Sequence, residues 1–510
     1  MHYFFQFAPR FVNWPLALIP AIRERDPDAR FSGLVTDTPQ FYKMVQERAD
    51  CEFEFLDHLD TLERDWCRRT ATPELMRSLE LRYSPRDLQL TVIADRHVGG
   101  GYVRSADLPD SELLLHCRSQ QALGGYLLGL YDWLDSRFGG KQRPDLAFLY
   151  VVASAPQSAI ATACRKYAVN FRTLIPTRAG GGIALTANPR MQNTELLNSF
   201  RESARQPDLL ADTMGEARTY LENFRSTLPQ MEYEESLRQQ YLEKLTLAAI
   251  ARELLLAVVR WSRSRRLRQP VTLRKLPPFQ HSWHTATSMW RGRRLLARKD
   301  LYVDSASLRE GEYLYFPLHV NPEASTMVKT PMLSNQEAMI SALARALPPS
   351  MKIVVKDHLI NVGKRPAAFY EELQRIPNLA LVSPFASGAL LAKRSAAVAT
   401  ISGTTGLEAL QLGRPVFLIG DPEYLHIGEG LVHCSDFAQF PEAMRRTLTL
   451  QPASDESLLR YIASELRSSL PLKRAAVWGK VTMQGVKANE AGLAELADRL
   501  VAAAGEEMTG

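Results

Sequence analysis

Five short apolar runs in the second half of the chain, EYLYFPLHV, MKIVVKDHL, LALVSPF, AAVATISG and PVFLIG, are each separated from the next by a helix-length segment. A strand, a helix and another strand running the same way form a right-handed parallel unit, and repeating it builds a sheet covered by helices on both faces. The first third shows the same alternation, with HYFFQF, RFSGLVTD, CEFEFL, PDLAFLYVV and a strand near Phe171. Between the two, long helical patterns rich in Leu, Glu, Gln and Arg replace strand character. The reading is an α/β chain of two Rossmann-like doubly wound domains. Residues 1–190 form the first domain, 191–305 a helical and basic connection, and 306–470 the second domain. Residues 471–510 are read as helices packing back across the cleft, with SLPLKRAAVWGK and NEAGLAELADRLVAAAG both taken as helical.

Composition narrows the function classes. At 510 residues, 45% hydrophobic and 23% charged, the chain is a folded multidomain protein rather than a disordered or fibrous one. A net charge of +6 over this length excludes a dedicated nucleic-acid binder, so basic function must be local. Five cysteines without a C-x-x-C pair signal neither a disulfide framework nor a zinc site, and the expected location is the cytoplasm. Arg10 and Pro15 interrupt the apolar N-terminus, which reads as a strand and a helix rather than a signal peptide. The richest apolar stretch, from Leu245, holds Arg252 and Glu253 at its centre, and no transmembrane helix is expected.

In open α/β sheets ligands bind beyond the carboxyl ends of the strands, so strand-to-helix junctions are the informative positions. ATISGTTGLEAL places Gly403, Thr404, Thr405 and Gly406 between a strand and a helix start, where hydroxyls and unpaired N–H groups suit a phosphate, with Glu408 in the first turn. An ordinary capped turn is the alternative there. YFPLHVNPEAST ends a strand in His319, Asn321, Glu323, Ser325 and Thr326, and VVKDHL ends one in Lys356, Asp357 and His358. FLIGDPEYLHIGEG offers Tyr424 and His426 as pocket walls. The donors Lys356, His358, Thr404 and Thr405 come without an Asp-x-Asp pair or a His cluster, which favours a nucleotide-linked substrate held with no obligatory metal.

YFPLHVNPEAST, then IVVKDHLINVGKRPAAFYEELQRIPNLALVSPF and then AVATISGTTGLEALQLGRPVFLIGDPEY, three motifs in this order, closely resemble the capsule polysaccharide biosynthesis proteins, bacterial glycosyltransferases that include transferases of Kdo (3-deoxy-manno-octulosonic acid). The resemblance covers residues 311–426; ERDW from Glu63, ADRH from Ala94 and RPDL from Arg143 extend it loosely. It implies a GT-B architecture, with the acceptor on the first domain and the sugar nucleotide on the second. It also implies donor-binding roles for His319, Glu323, Lys356, His358, Gly403, Thr404, Thr405, Gly406 and Glu408. The family's usual proline after the histidine is replaced by Leu359. His358 with the Thr404–Thr405 pair further resembles the CMP-binding arrangement of bacterial sialyltransferases, so the expected donor is CMP-Kdo or a related CMP-ulosonic acid. The expected acceptor is a glycan or lipid-linked glycan. Other readings are transfer from a nucleoside diphosphate sugar, a sugar-nucleotide epimerase, or a non-catalytic assembly or polymer-binding protein.

The catalytic base is expected from the first domain: Asp95, followed closely by Gly99, Gly100 and Gly101, with His97 and Asp65 as alternatives. Two basic clusters, one running from Arg260 through Arg263, Arg265, Arg266, Arg268 and Arg274 to Lys275 and one from Arg291 to Lys299, follow an apolar helix. They fit either a peripheral contact with an anionic membrane or a solvated interdomain face.

Overall fold

The computed structural model of the protein describes residues 1–98, 119–228, 232–266, 274, 278–321, 323–479 and 481–506. Thirteen strands among these residues form two sheets, and the doubly wound α/β expectation holds for both.

The first sheet contains β1 (His2–Phe7), β2 (Arg30–Val35), β3 (Phe53–His58), β4 (Leu146–Leu149), β5 (Asn170–Pro176) and β6 (Gly182–Thr186), joined by β13 (Ser469–Lys473). The order is β13-β6-β5-β4-β1-β2-β3, parallel from β3 to β5 and antiparallel at the β5–β6–β13 edge. All six residues of β1 are buried because helices cover both faces of the sheet. Alternation along the strand sends Tyr3, Phe5 and Phe7 to a core with Trp14, Leu496 and Leu500, and Phe4 to the opposite core with Phe55 and Tyr131.

The C-terminal end differs from the helical reading at SLPLK. Residues 469–473 form the edge strand β13, whose buried Leu470 and Leu472 alternate with outward Ser469, Pro471 and Lys473. Proline is tolerated there because the strand lies at the sheet edge. The helix Glu490–Gly505 then packs against the first domain, placing Leu496 and Leu500 in its core.

The second sheet contains β7 (Tyr313–Pro317), β8 (Lys352–Lys356), β9 (Leu379–Val382), β10 (Ala397–Thr400), β11 (Val416–Leu418) and β12 (Leu431–His433). It is parallel throughout, in the order β12-β11-β10-β7-β8-β9. The winding direction reverses between β7 and β10, which opens a crevice at their carboxyl ends. The helices Thr194–Glu202, Ala211–Thr227 and Asp455–Arg467 pack onto this sheet, sharing a core with Tyr315, Val398 and Leu410.

Candidate functional site

At the reversal point His319 follows β7 and lies against the end of β10. Its Nε2 is 3.4 Å from both the Ser402 N–H and the Thr400 hydroxyl. Burial, then the charges of Arg365 and His358, pull its pKa down to about 4, so the ring is neutral. With Nε2 accepting from Ser402, the proton resides on Nδ1, which is buried and has no hydrogen-bond partner among the described residues. The backbone of His319 is equally fixed: its N–H donates to Gln336, and its carbonyl accepts from Gln336, Asn361 and Arg365.

The neighbouring β8 ends in Lys356, Asp357 and His358, and the three have different tasks. Asp357 is 1% exposed and accepts from Arg365 at 2.9 Å and from the Tyr370 hydroxyl at 2.6 Å. Because Arg365 also donates to the His319 carbonyl, one buried guanidinium ties the ends of β7 and β8 together. His358 caps the short 3-10 turn Leu359–Asn361, its Nδ1 accepting the Ile360 N–H at 3.3 Å. That bond leaves the proton on Nε2 as an outward donor. The residue is exposed, yet enough protein surrounds the ring that desolvation, then Lys356, keep its pKa below the ordinary value against the pull of Asp357 and Glu323. Glu323 itself is exposed and accepts from the Ser325 hydroxyl at 2.8 Å.

The Gly403–Gly406 turn is more than a capped helix start. Gly403 is the residue ahead of the helix Thr404–Gln411 and supplies no side-chain cap, while the Thr404 and Thr405 hydroxyls make no hydrogen bond among the described residues. Both threonines are half-buried at the positive end of that helix. Tyr424 holds the turn from outside by donating to the Gly403 carbonyl at 2.8 Å. A Cβ on Gly406 would collide with the Tyr424 hydroxyl, which requires glycine there. Glu408 is half-buried one turn later.

Thr404 opens onto a crevice between the two domains that the sequence motifs did not anticipate, walled by Arg178, Lys329, Glu423, Tyr424 and Glu465. Glu465 accepts the N–H groups of Arg178 at 2.8 Å and Ala179 at 2.7 Å, fastening the β5–β6 loop of the first domain to the helix Asp455–Arg467. The Arg178 side chain is thereby placed at the crevice wall. Lys329 pairs with Glu423 at 3.2 Å. Burial raises the Glu465 pKa despite its two N–H donors, whereas at Glu423 burial, the largest single influence, is outweighed by Lys329, a backbone hydrogen bond and Arg178 together, which lower it. The basic residue after PT in IPTRAGGG, and the lysine one turn beyond EAST, are the sequence signals for Arg178 and Lys329. A larger concavity on the second domain, lined by Glu337, Arg345 and Phe437, shares no wall residue with that crevice.

Asp95 is placed differently from an open base. It is 1% exposed, and its oxygens accept from Arg274 at 2.8 Å and from the N–H groups of Ala155, His97 and Val98. Burial alone would raise its pKa, but Arg274, His97 and these N–H groups bring it to about 2. Arg274 also pairs with fully buried Glu63, which accepts from Tyr126. The ERDW and ADRH stretches thus meet on one arginine of the connecting region. His97 is half-buried beside Asp95, and Asp65 is exposed on the helix Leu59–Trp66. Gly99, Gly100 and Gly101 lie outside the described residues. The helix Pro85–Ile93 leading to Asp95 packs against residues Ser325–Lys329, and Val328 joins the core holding Val92, Ala94 and Val98. This contact brings the ADRH stretch beside the second domain's first strand-end loop. Among the described residues no group of three or more His, Cys, Asp or Glu side chains is arranged to hold a metal ion.

Residues 215–462 match the family model described as capsule polysaccharide biosynthesis protein, an interval that contains every strand end of the second sheet. No curated protein matches the chain. Among solved structures it is similar to the UDP-GlcNAc 2-epimerase of Neisseria meningitidis bound to UDP-GlcNAc, at 10% identity over 92% of this chain and 100% of that chain, with a TM-score of 0.23. It is also similar to the Methanocaldococcus jannaschii UDP-GlcNAc 2-epimerase in complex with UDP-GlcNAc and UDP, at 10% identity, 92% and 99% coverage and a TM-score of 0.26. A third similarity is to Thermosulfurimonas dismutans KpsC, beta Kdo 2,4 transferase, at 14% identity over 62% of this chain and 78% of that chain, with a TM-score of 0.30.

Proposed function

We propose, on the premise that residues 215–462 belong to the capsule polysaccharide biosynthesis family, that the chain is an inverting glycosyltransferase of GT-B type acting on a bacterial surface polysaccharide. The observation that carries this reading is the convergence, at the reversal point of the matched sheet, of groups suited to an anion: two threonine hydroxyls with no hydrogen bond among the described residues and an arginine at the crevice. The Thr404 and Thr405 hydroxyls stand at a helix start, with Arg178 on the crevice wall. A sugar nucleotide's phosphate fits that set, and the same donors stabilise the charge that develops as the nucleotide leaves. His358, with Nε2–H directed outward, adds a neutral donor. We assign the donor as a CMP-ulosonic acid, CMP-Kdo first, with no obligatory metal. The acceptor is a glycan or lipid-linked glycan held by the first domain.

For the base, the geometry favours His97 with Asp95 as its positioning residue. Asp95 is ion-paired and enclosed, so it holds the His97 backbone N–H at 2.7 Å rather than taking a proton itself. His97 takes the acceptor hydroxyl proton in this reading.

A melting-temperature screen with CMP, CDP, UDP, GDP and ADP tests the donor, since an occupied site stabilises in proportion to RT ln(1 + [L]/Kd). CMP should give the largest shift; a shift with UDP or ADP and none with CMP overturns the donor assignment. Transfer assays on His97→Ala and Asp95→Asn test the base. His97→Ala should lose roughly 100-fold or more in rate with nucleotide binding retained. Full activity in that variant removes the role from His97.

A further inference from the structure

The connecting region contains an antiparallel helical hairpin, Leu247–Arg266 and Pro278–Ala297, whose apolar residues are partly buried and partly exposed. Ile250 and Ala257 face inward and are buried. Leu247, Leu254, Val258 and Trp261 flank these two on the same helical stripe, with Leu255 further round, all between 38% and 66% exposed. Phe279, Trp283 and Trp290 continue this surface on the second helix, each close to half exposed. Of seven tryptophans, Trp14, Trp66 and Trp133 are buried, whereas these three of the hairpin stand open.

Charge identifies what covers this face. From Leu247 to Ala297 the sequence has eleven Arg or Lys residues and a single acid, Glu253, which is paired with Arg260 at 2.7 Å. Arg274 is committed to Glu63 and Asp95, leaving the excess strongly positive. No described helix is long and apolar enough to cross a membrane. An apolar stripe rich in tryptophan, in a segment whose charge is almost entirely basic and too short of apolar length to span, matches a helix pair lying in the headgroup layer.

We infer that the exposed face of this hairpin docks on an anionic lipid bilayer, with Leu255, Val258, Trp283 and Trp290 entering the interface and the arginines meeting lipid phosphates. The hairpin also sits at the cleft. Gly292 packs against the 359–364 turn just beyond His358, and Arg274, between the two helices, is anchored in the first domain beside His97. Docking therefore holds the cleft at the membrane surface, where a lipid-linked acceptor would present its sugar. The inference does not depend on which nucleotide the second domain binds.

Flotation of the full chain with vesicles of phosphatidylcholine mixed with phosphatidylglycerol, against phosphatidylcholine alone, tests it. The protein should float with the anionic vesicles, less so as salt rises. Leu255→Asp with Val258→Asp should weaken binding roughly tenfold or more, with the nucleotide-induced melting shift unchanged. Because the aspartate variant could misfold, a second measurement uses brominated phosphatidylcholine in the anionic vesicles. Quenching of tryptophan emission should fall in Trp283→Phe with Trp290→Phe while flotation persists. Absence of flotation by the unmodified chain overturns the inference. So does a dimer in solution that the aspartate variant converts to monomer, since the face would then be an interface between copies.

Discussion

The Tyr424 hydroxyl donates to the Gly403 carbonyl at 2.8 Å, and the same hydroxyl occupies the space that any Cβ on Gly406 would need. The shape of the phosphate-facing turn is thus set by a residue on the loop after the adjacent strand. Gly406→Ala forces the ring away and releases the turn, at a cost of about 1–3 kcal/mol for an overpacked buried site. Tyr424→Phe removes only the hydrogen bond, worth about 1 kcal/mol. Melting temperatures of both variants, with and without nucleotide, check this. The alanine variant should lose nucleotide stabilisation and the phenylalanine variant should keep most of it.

His358 and Leu359 separate capping from binding. His358→Asn puts a capping oxygen in place of Nδ1 for the 3-10 turn while removing the Nε2–H. The ligand-free melting point should therefore hold, and the nucleotide-induced shift should shrink. Leu359 occupies the first position of that turn, where proline is tolerated. Leu359→Pro should be neutral or stabilise by about 0.4–1 kcal/mol and leave the nucleotide response intact. A large destabilisation would show that Leu359 is required in its own right.

Most of the scaffold was legible because buried parallel strands leave continuous apolar runs: HYFFQF and KIVVK each became a strand where the pattern placed one. SLPLK was missed because its five residues look like the start of the following helix. Only pairing with β6, nearly three hundred residues earlier in the chain, makes it a strand. At the site, His319, His358 and the threonine pair stood at strand ends and could be read locally. Arg178 and Lys329 could not, since their meeting with Thr404 depends on how the two domains close. Asp95 was read as open because its partner, Arg274, lies far along the sequence in a segment whose basic residues otherwise resemble a solvated face.

His319 makes stability depend on pH. Its pKa is about 4 in the folded chain and ordinary, 6.5, when unfolded. Above 6.5 both states are neutral there. As pH falls from 6.5 toward 4 the unfolded chain takes up the proton first, so stability is lost through that window, by on the order of 3 kcal/mol in full. His319→Gln should flatten the pH dependence of the melting temperature between pH 6.5 and 4. An unchanged profile would assign that slope to other histidines.

The cluster of Arg274 with Glu63 and Asp95 makes a second stability prediction. Removing the guanidinium leaves two carboxylates in a buried site, a loss of about 3–5 kcal/mol by the usual measure of a broken buried pair. Arg274→Met should lower the melting temperature of the first domain and expose the connecting segment to protease. The Asp95 contribution has the same pH sense as that of His319, with stability lost as pH falls, but in a lower window. Its folded pKa of about 2 lies below the ordinary 3.8, so the stabilisation is complete above 3.8 and fades as pH drops through 3.8 toward 2.

Arg178 offers the sharpest separation of binding from folding. Glu465 holds the backbone N–H groups of Arg178 and Ala179, so the loop stays fastened whatever side chain residue 178 bears. Arg178→Met keeps the length and apolar stem and removes the charge from a crevice that Thr404 also lines, a charge that acts on Glu423 and Glu465 as well. The ligand-free melting point should change by no more than about 0.5 kcal/mol equivalent, as for a surface substitution. Nucleotide affinity should fall by roughly tenfold or more, the scale of one charge-assisted hydrogen bond to phosphate. Glu465→Gln should do the reverse in part, loosening the interdomain loop with the arginine still present. Titration calorimetry of both variants with CMP distinguishes them. Unaltered CMP affinity in Arg178→Met would remove Arg178 from the donor site and confine phosphate recognition to the second domain.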